Sequence, residues 1–445
     1  MQEHLDRDFH EDGCHSERCP SSYSKIVYRD PRNLAYLMEE FGGHQDKVAR
    51  MRPPLERSLT HWMYLMSPMG TQPAVNDGGR GRFDYNLFVD GGRSFNRPDF
   101  LWTAKNLLGA TVDDFVEPPS ATSMDFRPSG FAVMRQDWTR DSAYLVINYG
   151  PWGGGHSHAD IMSFELFAYG EAMAVDAGIG VSYDDPNHRP WYVTSKAHNM
   201  MVFGDQNLDR REAVGVNPIW GTGDNMDYFS AEHHGYEYMG ISHRRHFVFV
   251  KPNSSVPDAF PYFLVFDVFS SAKEPWKASF VLHSPMPSLG RGAGHFANDS
   301  AGLLVITPVA IEANSGTGLA NLGGVSSPGR RPIEWLSLDQ LTVGQGMVDD
   351  LPVVLFPYEG DTPPYVLVRR RENPGPDGTI YLTVTNENIT DHIIISDGSY
   401  HSYLNGNLNT NAVCTVVRAH TNGTYLSHSS VGGSRLNYRG VDLDP

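Results

Sequence analysis

Short apolar segments that follow one another from about Gly130 to the C-terminus constrain the fold more than any other feature. They include FAVMR, YFLVFDVF, ASFVLHS, YVLVRR, TIYLTVTN and CTVVRA, and they are separated by glycine, proline, asparagine or aspartate. No helical pattern interrupts the series. Strands joined by short turns pair with their sequence neighbours in antiparallel fashion. We therefore predict a large antiparallel β-sandwich.

Two segments of this β-rich region allow more specific predictions. The segment MSFELFAYGEAMAVDAG predicts a hairpin that turns near Tyr169 and Gly170. The segment from Asn314 to Pro332 is rich in glycine and serine, which predicts a flexible loop.

The first hundred or so residues carry a helical pattern instead. Asp30 and Pro31 suit the N-cap and the first position of a helix that ends at Gly42. A second helix is predicted after Pro54, and a third over 98–108. The chain is therefore expected to be an α+β multidomain protein. The predicted domains are a helical domain over 1–118, the sandwich over 119–375, and terminal strands over 376–445 that extend the sandwich or form a small β-unit.

Charge, cysteine content and hydropathy exclude several classes of function. The 445 residues carry a formal charge of −17, which argues against a nucleic-acid partner, although a local arginine cluster could still bind an anionic substrate. The three cysteines form neither a disulfide framework nor a CxxC metal pair. The sequence has no apolar run of about 18 residues, so neither a membrane span nor a membrane partner is expected.

The stretch GGGHSHAD is the strongest candidate for chemistry. In a strand, residues two apart face the same way, so His156, His158 and Asp160 would share a face. Imidazole and carboxylate groups are common zinc ligands. The predicted hairpin returns Asp176 towards the histidines, and His198 precedes another apolar strand. Two interpretations stay open: a metal site that combines these side chains, or polar residues at the entries of strands.

A cupin-like metalloenzyme is a competing interpretation. The first cupin metal motif has a glycine, five residues and then HxH, and Gly150 precedes His156 in this way. The cupin glutamate should follow after three or four residues, whereas Glu165 follows after six, and strand parity turns it away from His158. The cupin interpretation therefore fails at this ligand.

A longer stretch of sequence supports a family assignment. GGGHSHADIMSFELFAYGEAMAVDAG, followed by SKAHNMMVFGD, resembles the β-sandwich domain of the heparinase II/III-like polysaccharide lyases, which include alginate lyases. The segment DGCHSERCPSSY, Asp12 to Tyr23, is similar to a part of the family's helical domain with an acidic-glycine turn, a glutamate and a tyrosine. The segment PMGTQPAVNDGGRGR continues the similarity. The resemblance covers roughly residues 5–285.

This resemblance implies a fold, a reaction and a set of roles. The helices would be part of an incomplete (α/α) toroid. The reaction would be β-elimination at a uronic acid, so the partner would be an acidic polysaccharide or oligosaccharide of the alginate or glycosaminoglycan type. Tyr23 would be the catalytic base, the acid, or both, and His156 would contact the substrate at the catalytic centre. His158, Asp176 and His198 would bind a structural metal, zinc, with calcium as the alternative.

Further substrate contacts are expected from groups that suit an acidic sugar. A free tyrosine has a pKa of about 10, so a nearby cation or hydrogen-bond donor must assist it as a base. Arg80 and Arg82 suit a carboxylate through their bidentate fork, although surface ion pairs explain them equally well. The other candidates are Glu17 of the matched segment, Trp152, which would stack on a sugar or pack at the strand entry, and one of Tyr183 or Tyr192, which the resemblance implies as a further cleft tyrosine.

One feature of the family is missing from the sequence. The resemblance implies an asparagine-histidine pair on an earlier helix, and the twenty-two residues before Tyr23 contain none. We therefore expect that the missing N-terminal toroid part or a second subunit completes the site, or that the chain is a non-catalytic, carbohydrate-binding remnant that keeps the metal site. The resemblance implies a periplasmic or secreted protein. The start MQEHLDRDFHEDG lacks the apolar core of a signal peptide, so we expect a missing N-terminus or a cytoplasmic protein.

Overall fold

A computed structural model gives the fold of the chain. It describes residues 2–20, 23–42, 44–212, 214–290, 292–323, 329–341 and 346–444. The chain divides into two compact units. Unit 1 comprises Met1–Gly215, Phe280–Pro285 and Ser315–Leu336, and unit 2 comprises Val216–Ser279, Met286–Asn314 and Ser337–Pro445. Each unit combines separate segments of the chain, so this division does not test the domain boundaries predicted at residues 118 and 375, which stay predictions.

Helices dominate the start of unit 1. They are α1 (Gln2–Asp8), α2 (Tyr23–Phe41), α3 (Gln45–Leu65), α4 (Tyr85–Phe95) and α5 (Pro98–Asn106). The helix predicted over 98–108 is confirmed as α5, and the helical character of the N-terminal segment is confirmed with it. Its assignment to a toroid stays a prediction. Among the described residues, no helix is long and apolar enough to cross a membrane.

The predicted starts of the first two helices are wrong, because both helices continue through prolines. Pro31 lies inside α2, and Pro53 and Pro54 lie inside α3. Proline lacks an N–H and its ring clashes with the carbonyl four residues earlier, so the sequence pattern favours it in a first turn. Packing outweighs this local penalty, since the buried face of α2 continues on both sides of the proline. That face consists of Ser24, Tyr28, Pro31 and Ala35.

An antiparallel five-stranded sheet follows in unit 1, with the order β1-β2-β3-β4-β5. Its strands are β1 (Met124–Phe126), β2 (Phe131–Arg135), β3 (Tyr144–Asn148), β4 (Ser163–Ala168) and β5 (Glu171–Ala174). The sheet shares an apolar core with the helices, in which Phe131 and Tyr144 lie with Trp62 of α3. The hairpin predicted near Tyr169 and Gly170 is confirmed as the turn between β4 and β5.

The rest of the chain consists almost entirely of strands. They are β6 (Met201–Phe203), β7 (Val216–Thr222), β8 (Met226–His233), β9 (Ile241–Val250), β10 (Tyr262–Ser271), β11 (Lys277–Ser284), β12 (Gly294–Ala297), β13 (Ala301–Ile306), β14 (Glu312–Asn321), β15 (Arg330–Leu341), β16 (Val348–Glu359), β17 (Val366–Arg370), β18 (Ile380–Asn386), β19 (Ile389–Ile395), β20 (His401–Tyr403), β21 (Leu408–Thr410), β22 (Cys414–His420), β23 (Tyr425–Val431), β24 (Leu436–Tyr438) and β25 (Val441–Leu443).

Unit 2 contains the predicted sandwich. Seven strands pair in the order β12-β13-β16-β10-β9-β8-β7, and five pair in the order β17-β18-β19-β22-β23. Side chains from both sheets fill one core, where Val248 and Phe266 of the first sheet lie with Leu382 and Ile393 of the second. Two antiparallel sheets that face each other across an apolar core confirm the sandwich. A further sheet has the order β20-β21-β24-β25.

The flexible loop predicted from Asn314 to Pro332 is wrong where the structure describes it, because β14 and β15 occupy most of this segment. Residues 324–328 lie outside the described residues. The glycines have a packing role here. A side chain at Gly316 would lie 2.7 Å from the ring of Trp335, and one at Gly318 would lie 2.5 Å from the ring of Trp191. Glycine in this strand makes room for indole rings, which composition alone does not reveal.

Candidate active site and metal centre

The histidine stretch lies in an irregular loop between β3 and β4 rather than in a strand. The prediction that His156 and His158 share a strand face is therefore wrong. Glycines explain the local backbone: a side chain at Gly153 would lie 2.6 Å from the carbonyl oxygen of Glu17, and Gly154 has a φ of +93°. As a result the two histidines face different surroundings. The side chain of His156 is 29% exposed, whereas that of His158 is 1% exposed.

His158, Asp176 and His198 come together in the interior of unit 1. Their candidate ligand atoms lie within 4.8 Å of one another, and all three residues are buried. Nδ1 of His158 and Nε2 of His198 have no hydrogen-bond partner among the described residues. Burying such a polar atom without a partner costs free energy. Two imidazoles and one carboxylate are a known donor set for zinc with one open position, so these residues fit a zinc ion.

Hydrogen bonds orient the carboxylate of this cluster. Nδ1 of His198 lies 2.7 Å from Oδ2 of Asp176, and the backbone N–H of Gly178 donates to Oδ1 of Asp176 at 2.9 Å. Burial alone would raise the pKa of Asp176, but the His198 imidazole and the Gly178 N–H hold that pKa below its ordinary value. Burial alone would lower the pKa of His198, and the Asp176 carboxylate raises it instead. The two side chains stabilise each other's charged forms.

Arg80 lies in the interior beside this cluster, although the sequence suggests it as a substrate contact. Its guanidinium pairs with Glu165, and both side chains are buried. Oε1 of Glu165 also accepts the backbone N–H of Asp176 at 3.0 Å. The ion pair therefore fixes the backbone of a cluster residue. Arg82 is exposed, and its guanidinium donates to the carbonyl oxygen of Leu107 at 2.9 Å.

A second group of predicted residues meets at the surface of unit 1. The hydroxyl oxygens of Tyr23 and Tyr183 lie 2.6 Å apart. The rings of Tyr23 and His156 stack with centroids 4.0 Å apart, and Nδ1 of His156 lies 3.3 Å from Oε2 of Glu17. Burial and the bonds to Tyr23 and Asp77 raise the pKa of Tyr183 above its ordinary value. The structure thus brings four predicted site residues together. We call Tyr23, Tyr183, His156 and Glu17 the tyrosine group.

Of the two tyrosines that the resemblance leaves open, Tyr183 rather than Tyr192 belongs to this group. Tyr183 is 52% exposed, whereas Tyr192 is buried and packs in a small apolar cluster. Burial raises the pKa of Tyr192 to about 12. Trp152 is 43% exposed on the same loop as His156, and the guanidinium carbon of Arg211 lies 5.6 Å from its ring centroid.

Two residues that the sequence does not single out connect the buried cluster to the tyrosine group. Oδ1 of Asp77 lies 2.9 Å from Nε2 of His158, and Oδ2 of Asp77 accepts the hydroxyl of Tyr183 at 3.1 Å. The Asn76 amide donates to the carbonyl oxygen of Arg18 at 2.9 Å and accepts the N–H of His158 at 3.1 Å. The available signal is a polar Asn-Asp pair directly after the apolar residues PAV, in a glycine-rich segment.

Arg18 is also absent from the predicted set, and it fixes the start of the loop between β3 and β4, which carries His156 and His158. Its buried guanidinium donates to the carbonyl oxygens of Ser129 and Pro151, each at 2.7 Å. A buried cation that donates to several carbonyls holds those backbone segments in one arrangement. The segment that carries Glu17 is thereby tied to the segment that leads to His156.

Comparison with known proteins matches this chain to one family. Residues 118–318 match the family model described as Heparinase II/III-like, C-terminal. The chain is 29% identical over 192 residues to a heparin-sulfate lyase of Bacteroides stercoris, and 28% identical over 152 residues to a heparin-sulfate lyase of Pedobacter heparinus. These matches cover 42% and 34% of this chain, but only 26% and 21% of the two relatives.

Solved structures share the fold. A mutant of the heparan sulfate lyase HepC from Pedobacter heparinus matches with a TM-score of 0.75 at 18% identity, over 88% of this chain and 60% of that one. A structure of heparinase III matches with a TM-score of 0.71 at 17% identity, over 87% and 60% of the two chains. The chain therefore spans less than two thirds of the length of these proteins. The arrangement of a helical segment followed by antiparallel sheets is confirmed.

Proposed function

Because this chain belongs to the heparinase II/III-like family, we propose that it is a polysaccharide lyase that cleaves a uronic-acid-containing polysaccharide by β-elimination. Tyr23 is the base and the acid of this reaction, and His156 stands at its catalytic centre. One observation carries the proposal: the Tyr23 hydroxyl lies 2.6 Å from that of Tyr183, and the Tyr23 ring stacks on His156. A hydroxyl, an imidazole and a carboxylate thus meet at one accessible place.

The chemistry assigns a task to three members of the tyrosine group. Tyr23 takes the proton from the ring carbon that bears the uronate carboxyl group, and the glycosidic carbon–oxygen bond on the neighbouring ring carbon breaks as the double bond forms between the two carbons. Tyr23 then returns the proton to the leaving oxygen. Nδ1 of His156 lies against Glu17, so its other nitrogen is directed to the substrate. The contact with Glu17 fixes the orientation of the imidazole ring. Arg80 is not a substrate contact in this proposal, because its guanidinium is committed to Glu165.

The buried cluster has a structural task. Its two imidazoles and one carboxylate suit zinc better than calcium, which prefers six to eight oxygen ligands. A bound zinc ion would supply a fixed tie between the end of the β4–β5 hairpin and the segment before β6. His156 lies two residues from His158, so this tie would also position the loop between β3 and β4, which carries both histidines.

The substrate proposal follows from the chemistry of the group and from the named relatives. The substrate is an acidic polysaccharide or oligosaccharide. Heparan sulfate is the first candidate, because both relatives are named heparin-sulfate lyases. A periplasmic or secreted location belongs to the same proposal, since such polymers lie outside the cell.

The helical surface supports a further helical partner, either further toroid helices or a second subunit. A groove of about 880 Å³ lies between α2, α3 and α4. Tyr36 and Leu37 of α2 line it and are exposed, and Phe41 at the end of α2 is 82% exposed. Large apolar side chains on one helix face are typical of a surface that other helices cover.

The test is a panel of polymers with the purified protein. Heparan sulfate, heparin, alginate, hyaluronan and chondroitin are each followed by the ultraviolet absorbance of the unsaturated uronate. We expect the absorbance to rise with at least one polymer, and heparan sulfate is the first expectation. The matched control is the same polymer with its carboxyl groups chemically reduced, which removes the acidity that β-elimination needs and should give no rise.

The opposite result would favour the alternative of a non-catalytic remnant. A folded, zinc-loaded protein that gives no rise with any polymer contradicts the lyase proposal for this chain. Retention of the protein on one of the immobilised polymers would then indicate a carbohydrate-binding protein that keeps the metal site.

A further inference from the structure

Asp77 occupies a position that no motif assigns, between the buried cluster and the tyrosine group. Its side chain is 3% exposed and contacts both groups at once. Oδ1 lies 2.9 Å from Nε2 of His158, and Oδ2 lies 3.1 Å from the hydroxyl of Tyr183. The backbone N–H of Asp77 also donates to the carbonyl oxygen of His156 at 3.1 Å. One residue therefore contacts a cluster histidine, the backbone of His156 in the loop between β3 and β4, and the second tyrosine.

The hydrogen atoms along this chain of contacts have one consistent arrangement. A carboxylate can only accept hydrogen bonds, so both His158 and Tyr183 donate to Asp77. His158 then carries its hydrogen on Nε2, which leaves the lone pair of Nδ1, the unpartnered buried atom, for a ligand. Tyr183 has one hydroxyl hydrogen, and it donates that hydrogen to Asp77. In the hydrogen bond of 2.6 Å between the two tyrosines, Tyr23 must therefore be the donor.

We propose that Asp77 is a positioning residue that couples the His158–Asp176–His198 cluster to the catalytic tyrosine. On one side it selects the tautomer of His158 that can bind a metal. On the other it holds Tyr183 as a hydrogen-bond acceptor, and Tyr183 in turn holds the protonated hydroxyl of Tyr23 in place, which is the form that protonates the leaving oxygen. The catalytic half of this inference rests on the proposed lyase function, whereas the metal half does not.

The backbone around Asp77 is held independently of its carboxylate, which makes the side chain testable. Asn76 has a φ of +59° and is anchored by its two side-chain hydrogen bonds. The N–H of Gly78 donates to the carbonyl oxygen of Val75 at 3.1 Å, and a side chain at Gly178 would lie 2.7 Å from the carbonyl oxygen of Gly78. An Asp77→Asn protein keeps the shape of the side chain and is expected to fold.

The experiment compares Asp77→Asn, Tyr183→Phe and the double variant with the wild-type protein. Asp125→Asn is the matched control, because Asp125 also accepts a tyrosine hydroxyl, that of Tyr149, outside the site. For each protein, kcat and KM are measured on the most active polymer, and zinc affinity is measured by competition with a chelator. The asparagine keeps one accepting oxygen and its amide nitrogen can only donate, so the two contacts of Asp77 cannot both keep their present donor direction.

We expect Asp77→Asn to lower zinc affinity by about 10- to 100-fold, as is typical when a hydrogen-bond partner of a metal ligand is lost. It should lower kcat by about tenfold or more, with KM within about twofold. With zinc saturating in every assay, the same substitution in the Tyr183→Phe background should change kcat by less than about twofold, because the link to Tyr23 is already broken. Asp125→Asn should leave kcat, KM and zinc affinity unchanged.

Other results overturn the inference. It fails if Asp77→Asn leaves zinc affinity and kcat within about twofold of the wild type. It also fails if the kcat losses of the two substitutions multiply in the double variant, since a general structural defect would act independently of Tyr183. A wild-type protein without lyase activity would overturn the proposed function instead, and zinc affinity would still decide whether Asp77 supports the cluster.

Discussion

Two buried groups in this molecule each contain two histidines and one aspartate, but they differ in whether all their ring nitrogens have hydrogen-bond partners. In unit 1, His158, Asp176 and His198 leave two ring nitrogens without partners among the described residues. In unit 2, Nε2 of His233 lies 2.8 Å from Nδ1 of His243, and Nε2 of His243 lies 2.7 Å from Oδ1 of Asp267. The N–H of Gly235 donates to the remaining nitrogen of His233 at 3.2 Å.

Charge separates the two groups further. Arg245 donates to both oxygens of Asp267, at 2.6 and 2.9 Å, so the unit 2 network is neutral when both histidines are neutral. Burial lowers the pKa of His233 and of His243. In unit 1 Arg80 pairs with Glu165 and not with the aspartate of the group, so Asp176 has His198 as its ion-pair partner. The same residue types therefore form a complete hydrogen-bond network in one unit and an incomplete donor set in the other.

The largest expected effect is on metal content. We expect the wild-type protein to carry about one zinc ion per chain, and His158→Ala to lose nearly all of it, because a bound ion would lose one of three protein ligands. The counterpart His243→Ala should keep the full content. Elemental analysis of protein purified with zinc decides this. Equal zinc in His158→Ala and the wild type would refute the ligand assignment and remove the distinction between the two groups.

A smaller effect should follow from the two buried arginines. Arg245→Met and Arg80→Met each leave a carboxylate buried without its cation, which typically costs about 3–5 kcal/mol. Only Arg80→Met should also lower zinc affinity, because Glu165 accepts the backbone N–H of Asp176. Urea unfolding and chelator competition measure the two quantities. A loss of zinc affinity in Arg245→Met, or none in Arg80→Met, would break the comparison.

The neutral histidines of unit 2 should make stability depend on pH. Burial, aided by Arg244, lowers the pKa of His246 to about 3, and Nδ1 of His246 lies 2.8 Å from the Tyr228 hydroxyl oxygen. A folded-state pKa below the unfolded value of about 6.5 gives stability above that value, which is lost as the pH falls. Between pH 7 and pH 5 this histidine should cost about 2 kcal/mol. In His246→Gln, the difference between the unfolding free energies at the two pH values should shrink by about that amount, and an unchanged difference would contradict the explanation.

The smallest effect should distinguish the two tyrosines. The buried hydroxyl of Tyr192 has no hydrogen-bond partner among the described residues, so Tyr192→Phe removes an unsatisfied group. We expect its unfolding free energy to stay within about 1 kcal/mol of the wild type or to rise, with unchanged lyase activity. Tyr183→Phe should instead lower activity while the protein stays folded. Matched activities in the two variants would argue against a role for Tyr183.

Much of the fold follows from the sequence, because apolar strands and turn residues report on local conformation. The β4–β5 hairpin and the sandwich strands are predicted in this way. The predicted helix starts at Pro31 and Pro54 are wrong because the packing of a buried helix face outweighs a local proline penalty. The loop predicted after Asn314 is wrong for a related reason. Its glycines make room for the rings of Trp335 and Trp191, and the sequence does not show that these rings are their neighbours.

The candidate site divides in the same way. The cluster residues can be predicted because ligand types recur at strand ends, and the family resemblance adds Tyr23 and His156. Asp77 and Arg18 cannot be predicted, since their roles depend on contacts between segments far apart in the chain. Arg80 illustrates the opposite error: a charge in a glycine-rich segment suggests a solvent-facing loop, yet its partner is a buried glutamate.

The central claim is that Tyr23 performs the proton transfers of β-elimination. The direct measurement is kcat for Tyr23→Phe beside Tyr85→Phe, an exposed tyrosine at the start of α4, on the polymer that the wild type cleaves best. We predict a loss of at least about 100-fold for Tyr23→Phe, as expected for a group that transfers the proton, and a rate within about twofold of the wild type for Tyr85→Phe. A Tyr23→Phe protein that cleaves the polymer at the wild-type rate would contradict the claim.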